Sequence, residues 1–209
     1  MRHVPNLLSA ARLVATAPLV VLILINTPTA YLWATLLFFL ASITDTFDGR
    51  IARRYHLVSN LGVFLDLTAD KVYVAAALVA FTQIGAIHSW ITIVIITREF
   101  LVSGLRSLAA AQGVVIPAGK SGKQKTFLTL IGLGGILLSM GLGGHTAFPL
   151  GLSTAAVGPH SFPDYLLALS DFILLLAVIW TIYSAVEYTR GAWGLLTSAA
   201  GGSGEKKQN

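Results

Sequence analysis

Between positions 45 and 70 the chain carries Asp45, Asp48, Gly49, Ala52, Arg53, Gly62, Asp66 and Asp70, spaced D-x-x-D-G-x-x-A-R, eight residues, then G-x-x-x-D-x-x-x-D. Asp45 and Asp48 stand three apart, Asp66 and Asp70 four apart, and on helices both spacings put a pair of carboxylates on one face. Four carboxylates in a chain without cysteine form a hard, oxygen-rich donor set, suited to Mg²⁺, Mn²⁺ or Ca²⁺ ahead of zinc. Two such cations about 3.5–4 Å apart would clamp an in-line displacement at phosphorus. Gly49 and Gly62 remove side chains where a phosphate could approach the backbone, and Ala52 nearly does so one turn on. Arg53 offers a planar fork to a phosphate oxygen.

The elements that must hold these groups are apolar. Of 209 residues 55% are hydrophobic and 11% charged, against roughly a quarter charged in soluble domains. The apolar residues gather into six stretches, about 7–26, 29–48, 58–82, 89–110, 124–142 and 164–188, each long enough for a ~30 Å hydrocarbon layer. The third and fourth contain ionisable residues and are expected to score lower in hydropathy. An aspartate at a bilayer's centre costs about 2.5–3.5 kcal/mol on insertion scales, so four together require a cation or a function.

All 14 Lys and Arg lie in the N-terminus, the second and fourth connections, the C-terminus, or the helix halves leading to them. The connections near 26–30, 83–89 and 143–163 hold none. The positive-inside rule then places both termini in the cytoplasm. The expected fold is all-α: a polytopic membrane protein with six transmembrane helices in a single bundle. Residues 1–197 form one domain and 198–209 a Gly/Ser-rich, then charged, disordered tail. The first apolar run reads as a retained helix, because no small-residue cleavage site ends it. The net charge of +5 gathers on one membrane face, which suits anionic lipid and phosphate and argues against nucleic acid. A kink is expected at Pro18, close helix approach at Gly132, Gly135 and Gly141, and an exposed loop with a short surface helix within 141–163.

The whole 45–70 pattern resembles the signature of the CDP-alcohol phosphotransferase family, matching it at every position. That resemblance implies displacement of CMP from a CDP-linked lipid by a second alcohol, with Mg²⁺ or Mn²⁺ in a two-metal site. By position, Asp45, Asp48, Asp66 and Asp70 would be metal ligands, and Asp70 also the base that takes the acceptor's hydroxyl proton. Gly49, Ala52, Arg53 and Gly62 would lie along the CMP and diphosphate. A homodimer in a bacterial plasma membrane, with its site facing the cytoplasm, completes the expectation.

A second polar region, Thr97-Arg98-Glu99 through Arg106, lies within the fourth apolar span, and Lys120, Lys123 and Lys125 follow on the same side. Arg98, Val102 and Arg106 recur at steps of four, so both arginines can face roughly the same way. Arginines and lysines facing the metal cluster would bind a dianionic phosphate; the competing arrangement is an ion pair of Arg98 or Arg106 with Glu99 or an aspartate. This region resembles the branch of the family whose acceptor is glycerol 3-phosphate and whose lipid donor is CDP-diacylglycerol. Arg98, Arg106, Lys123 and Lys125 would then meet the acceptor phosphate. A sister enzyme using inositol phosphate is the near alternative. An ion or proton transporter is the distant one, disfavoured by the lack of paired repeats. Asn6, Arg12, Lys71, Glu99 and Lys120 receive no role from spacing.

Overall fold

The computed structural model describes residues 4–54, 60–111, 113, 120–144 and 161–202, with side chains described over 10–44, 68–111, 113, 122, 124–144 and 161–191. Six helices account for nearly all of them: α1 (Val4–Ile25), α2 (Pro28–Arg54), α3 (Asn60–Gln83), α4 (Ser89–Ala111), α5 (Lys120–Gly141) and α6 (Phe162–Gly202). No strand occurs among the described residues.

Helix ends follow local chemistry. Thr27 caps α2 by accepting the Ala30 N–H on its hydroxyl (3.4 Å), and Pro28 follows at the first helical position, where no N–H is required. Gly85 (φ 73°) closes α3 while the Ala86 N–H returns to the Phe81 carbonyl (2.9 Å). Gly143 (φ 92°) and the Gly144 N–H, which donates to the Ser139 carbonyl at 2.8 Å, end α5 in the same way. Ser161 opens α6, with its N–H and hydroxyl both donating to Asp164 Oδ2 (2.9 and 2.6 Å).

Two helices outrun their apolar stretches. Nothing after Asp48 breaks a helix except Gly49, so α2 continues through Ala52 and Arg53, and the whole first half of the aspartate pattern is helical. α6 runs 41 residues to Gly202, into the segment expected to be disordered; residues 203–209 lie outside the described residues. The expected surface helix within 141–163 falls mostly outside them too. α1 remains one helix through Pro18.

Packing joins the helices in a closed circuit: α1 against α2 and α3, α3 against α4, α4 against α6, α6 against α5, and α5 against α2. The core inside it contains Leu19 and Ile23 of α1, Phe38 of α2, Leu78 and Phe81 of α3, Ile95 of α4, Leu137 of α5 and Leu174 of α6. Glycines on α5 permit its close contacts. A Cβ at Gly132 would come within 3.1–3.2 Å of Leu174, backbone included; one at Gly141 would meet Leu32 at 2.8 Å; and one at Gly135 would collide with the Ser170 hydroxyl.

The outer faces are strongly apolar: Val14 and Val21, Trp33 and Leu36, Val79, Ile93 and Phe100, Phe127, Phe172 and Ile179 are all exposed. Among the described residues, Phe162–Gly191 is long and apolar enough to cross a membrane, and Ala10–Ile25 and Pro28–Thr44 are shorter apolar stretches. α3 and α4 carry Asp66, Asp70, Lys71, Arg98 and Glu99, yet contrary to expectation they are on average more apolar than α2 and α5, which run on into the charged segments at Asp45–Arg54 and Lys120–Lys125.

Gly132→Val is expected to lower stability by about 1–3 kcal/mol, because the Leu174 backbone cannot yield. Gly104→Ala, with no heavy atom within 4 Å of its Cβ, should leave stability unchanged or raise it by up to about 1 kcal/mol. Unfolding of both variants in detergent solution checks the contrast.

Candidate functional site

α2 and α3 do not pack backbone to backbone among the described residues; α1 lies against both. They meet through side chains. The buried rings of Phe38 and Tyr73 stack with centroids 5.7 Å apart and planes at 21°. This contact fixes which faces oppose each other. Seven residues along a helix return to within about 20° of the starting direction, about 10 Å further on. Position 45 therefore shares the face of Phe38, and position 66 that of Tyr73. α2 runs toward the end of the bundle where Arg54 lies and α3 starts there at Asn60, so both positions are displaced from the stack toward one end. Position 70 lies one turn from Tyr73 on that side. The same end receives the close of α4 and the start of α5 and carries most of the arginines and lysines; it is called the basic end below.

Asp70 is exposed to a cavity between α3, α4 and α5. Its walls are Asp70, Lys71 and Val74 from α3, Ile95 and Glu99 from α4, and Lys125, Thr126, Thr129 and Leu130 from α5. At about 30 Å³ it has room for about one water molecule. Thr126 and Thr129 donate their hydroxyls to the Gly122 and Lys125 carbonyls (3.1 and 2.9 Å), which leaves their methyl groups to the wall.

Charge in this region is organised around Glu99. Its Oε1 pairs with Lys125 Nζ and also accepts from Arg98 Nη1 at 3.0 Å. Arg98 turns toward α6, where Nη2 donates to Ser184 Oγ (2.6 Å) and the guanidinium carbon lies 5.7 Å from the centre of the Tyr188 ring. That distance falls within cation–π range. Arg98 and Lys125 are both buried, with Lys125 only 4% exposed. Gly122 lies beside the anchor: a Cβ there would already touch Arg98 Nη2 (3.6 Å) and Tyr188 Oη (3.8 Å).

The expected site residues are thus distributed unevenly. Asp70 and Lys125 share one cavity. Asp45, Asp48, Gly49, Ala52 and Arg53 lie on α2, Gly62 and Asp66 on α3, and Lys123 on α5, all with side chains outside the described residues. Arg98 does not line the cavity; it takes the ion-paired arrangement with Glu99. Arg106 is exposed and does not share the face of Arg98, contrary to the reading of their spacing. Eight residues of α-helix turn through two full rotations plus about 80°, so steps of four drift off a face within two turns. The Arg98–Glu99 pair is the competing arrangement named from the sequence, whereas Ser184 and Tyr188 were missed. A charged pair inside an apolar span was the available signal for Glu99; the two α6 residues gave only an i, i+4 spacing of ordinary type.

The donor chemistry fits hard divalent cations. Asp70 opens onto a cavity, and the Phe38–Tyr73 stack places positions 45 and 66 on opposed helix faces toward the same end. Among the described residues no group of three or more His, Asp or Glu is assembled to hold a metal, and three of the four aspartate side chains lie outside that set.

Comparison with known proteins agrees with the aspartate pattern. The family model for CDP-alcohol phosphatidyltransferase matches residues 2–183. The chain is 34% identical over 214 residues to the CDP-diacylglycerol–glycerol-3-phosphate 3-phosphatidyltransferase of Bacillus subtilis (strain 168), covering 95% of this chain and 100% of that one. It is 40% identical over 136 residues to the protein of the same name from Rickettsia bellii (strain RML369-C), covering 65% and 75% of the two chains. A probable phosphatidylglycerophosphate synthase of Mycobacterium tuberculosis (strain ATCC 25618 / H37Rv) is 41% identical over 108 residues, covering 52% and 50%.

Ser184→Ala removes the hydroxyl that receives Arg98 Nη2 in a buried setting. It is expected to cost about 1–3 kcal/mol, the range for leaving a buried donor without its partner. Thr189→Ala, which loses an exposed hydroxyl bonded to the Ala185 carbonyl, should cost less, and thermal unfolding of the two variants compares them.

Proposed function

The chain belongs to the CDP-alcohol phosphatidyltransferase family, and from that premise we propose that it transfers the phosphatidyl group of CDP-diacylglycerol to glycerol 3-phosphate, giving phosphatidylglycerol phosphate and CMP. The observation that carries this reading is the placement of the aspartate pattern. Its two halves lie on α2 and α3, whose opposed faces are set by the Phe38–Tyr73 stack, and its last member shares a cavity with a buried lysine. A full-length relative named for the same donor and acceptor supports it.

In this reading the lipid diphosphate lies along Gly49, Ala52, Arg53 and Gly62. Asp70 takes the proton from the acceptor's 1-hydroxyl. The acceptor oxygen forms its bond to the phosphorus that carries diacylglycerol, and the bond from that phosphorus to the CMP oxygen breaks. Lys125, on the cavity wall, is the acceptor-phosphate ligand in this reading, with Lys123 and Arg106 as further candidates. Arg98 contributes through Glu99. Mg²⁺ or Mn²⁺ held by Asp45, Asp48, Asp66 and Asp70 would neutralise the diphosphate and stabilise departing CMP.

We further propose a six-span topology with both termini cytoplasmic, in the plasma membrane of a bacterium, with residues 1–197 as the membrane domain and the enzyme working as a homodimer. The exposed apolar residues of α1, α2, α3, α4 and α6 support embedding in lipid, since soluble monomers rarely expose contiguous apolar patches beyond a few hundred Å². Hydroxyls within the helices turn back to their own backbone: Thr16 to the Arg12 carbonyl, Thr35 to Tyr31, Ser42 to Phe38, Thr181 to Ala177. These buried or half-buried hydroxyls are satisfied without water, as an apolar interior requires.

Purified protein supplied with CDP-diacylglycerol, Mg²⁺ and one acceptor at a time should release CMP with glycerol 3-phosphate and not with glycerol, serine or inositol phosphate. Asp70→Asn should abolish turnover while unfolding at the wild-type temperature. Turnover with inositol phosphate alone would instead assign a sister activity. Chelation with EDTA should stop CMP release and added Mg²⁺ or Mn²⁺ should restore it; undiminished turnover in excess chelator would remove the metal from the reaction.

A further inference from the structure

We propose that Glu99 is the positioning residue of the acceptor pocket: its carboxylate holds Lys125 at the cavity beside Asp70 and ties that lysine, through Arg98, to an anchor on α6. This inference rests on the reading that the acceptor's phosphate meets Lys125.

Lysine is a point charge on a flexible four-carbon stem, and holding it in one place requires a fixed counter-charge. Lys125 enters the cavity wall from α5, and the Glu99 carboxylate on α4 is in direct contact with its ammonium. The same Glu99 oxygen accepts from Arg98 Nη1, so the carboxylate cannot move without releasing two cations together. Arg98 is in turn held by Ser184 Oγ at 2.6 Å and by the Tyr188 ring. It faces α6 and does not line the cavity. The geometry therefore runs from α6 inward: a guanidinium fixed by its hydroxyl and ring partners sets the carboxylate, and the carboxylate sets the lysine.

Charge balance points the same way. On the cavity wall Asp70 and Glu99 balance Lys71 and Lys125, and Arg98 behind Glu99 adds one positive charge on the side where a phosphate monoester would arrive. Without Glu99, Arg98 and Lys125 would face each other with no carboxylate between them, and repulsion from Arg98 together with attraction to Asp70 across the cavity would draw the flexible lysine away from its held position. Glu99 itself is a poor candidate for proton transfer, because one of its oxygens is already engaged by both cations.

Steady-state kinetics of the full-length protein tests this. Glu99→Gln keeps the size and removes the charge, and it should raise the KM for glycerol 3-phosphate at least about tenfold while the KM for CDP-diacylglycerol stays within about twofold. Glu99→Asp, shorter by one methylene, should give an intermediate acceptor KM. In a Lys125→Ala background the Glu99→Gln change should add almost nothing, the non-additivity expected of residues that act through one another. Equal changes in both KM values, or a full additive effect without Lys125, would overturn the proposal. Should Glu99→Gln fail to fold, Glu99→Asp in both backgrounds decides by the same criterion. A wild-type protein inactive toward glycerol 3-phosphate removes the functional reading itself; an active wild type with additive variants removes only the role of Glu99.

Discussion

Charged groups inside an apolar bundle must be answered within a few ångströms, since the effective desolvation penalty is several kcal/mol for each ion. Arg98 and Lys125 meet that constraint by converging on one carboxylate, and the consequence is geometric. Glu99 comes from α4, Lys125 from α5, and the Ser184 and Tyr188 anchor from α6, so neutralising two cations joins three helices. α4 and α5 share no direct backbone packing among the described residues. The ion cluster is what spans the distance between them, and the small cavity beside Asp70 is the space it leaves.

The rest of the bundle divides along its length. Away from the basic end the interior is aliphatic and aromatic, with Leu19, Ile23, Phe81, Leu137 and Leu174 in one cluster, and α5 glycines bring α6 and α2 close. Thr82 and Thr92 join α3 to α4 through a 2.7 Å hydroxyl contact, and Ser139 donates to the Pro163 carbonyl at 2.6 Å, tying the end of α5 to the start of α6. These polar links are small and locally satisfied, so they add little electrostatic demand. A rigid apolar half thus supports a half where charge is concentrated.

Six helices and the aspartate pattern were legible in the sequence because each is a one-dimensional signal. Runs of apolar residues give spans, and D-x-x-D with D-x-x-x-D gives helical faces. Helix ends were less legible: hydropathy marks where apolar residues stop, whereas α2 and α6 continue beyond that point to Arg54 and Gly202. The arginines show a different failure. Spacing alone suggested that Arg98 and Arg106 share a face, but the helical repeat rotates them apart, and the actual direction of Arg98 was decided by a serine and a tyrosine more than eighty positions later in the chain. No local pattern announces a partner at that separation. Nor does any local pattern announce that Phe38 and Tyr73 stack, although that contact orients both aspartate helices.

The stack also explains why a site for a diphosphate would lie where the pattern places it. Two aromatic rings with centroids 5.7 Å apart act as a spacer, holding the α2 and α3 backbones too far apart for direct packing. Toward the basic end the sequence replaces such bulk with Asp45, Gly49 and Ala52 on one helix and Gly62 and Asp66 on the other. In the proposed reaction the nucleotide diphosphate would lie along these positions, with acyl chains extending into surrounding lipid and the soluble acceptor arriving on the Lys125 side. The same aromatic contact that closes the apolar core therefore sets the spacing of the two helices that carry the aspartate pattern. Replacing the spacer with smaller residues would let α2 and α3 approach and narrow the space between the two pairs of carboxylates.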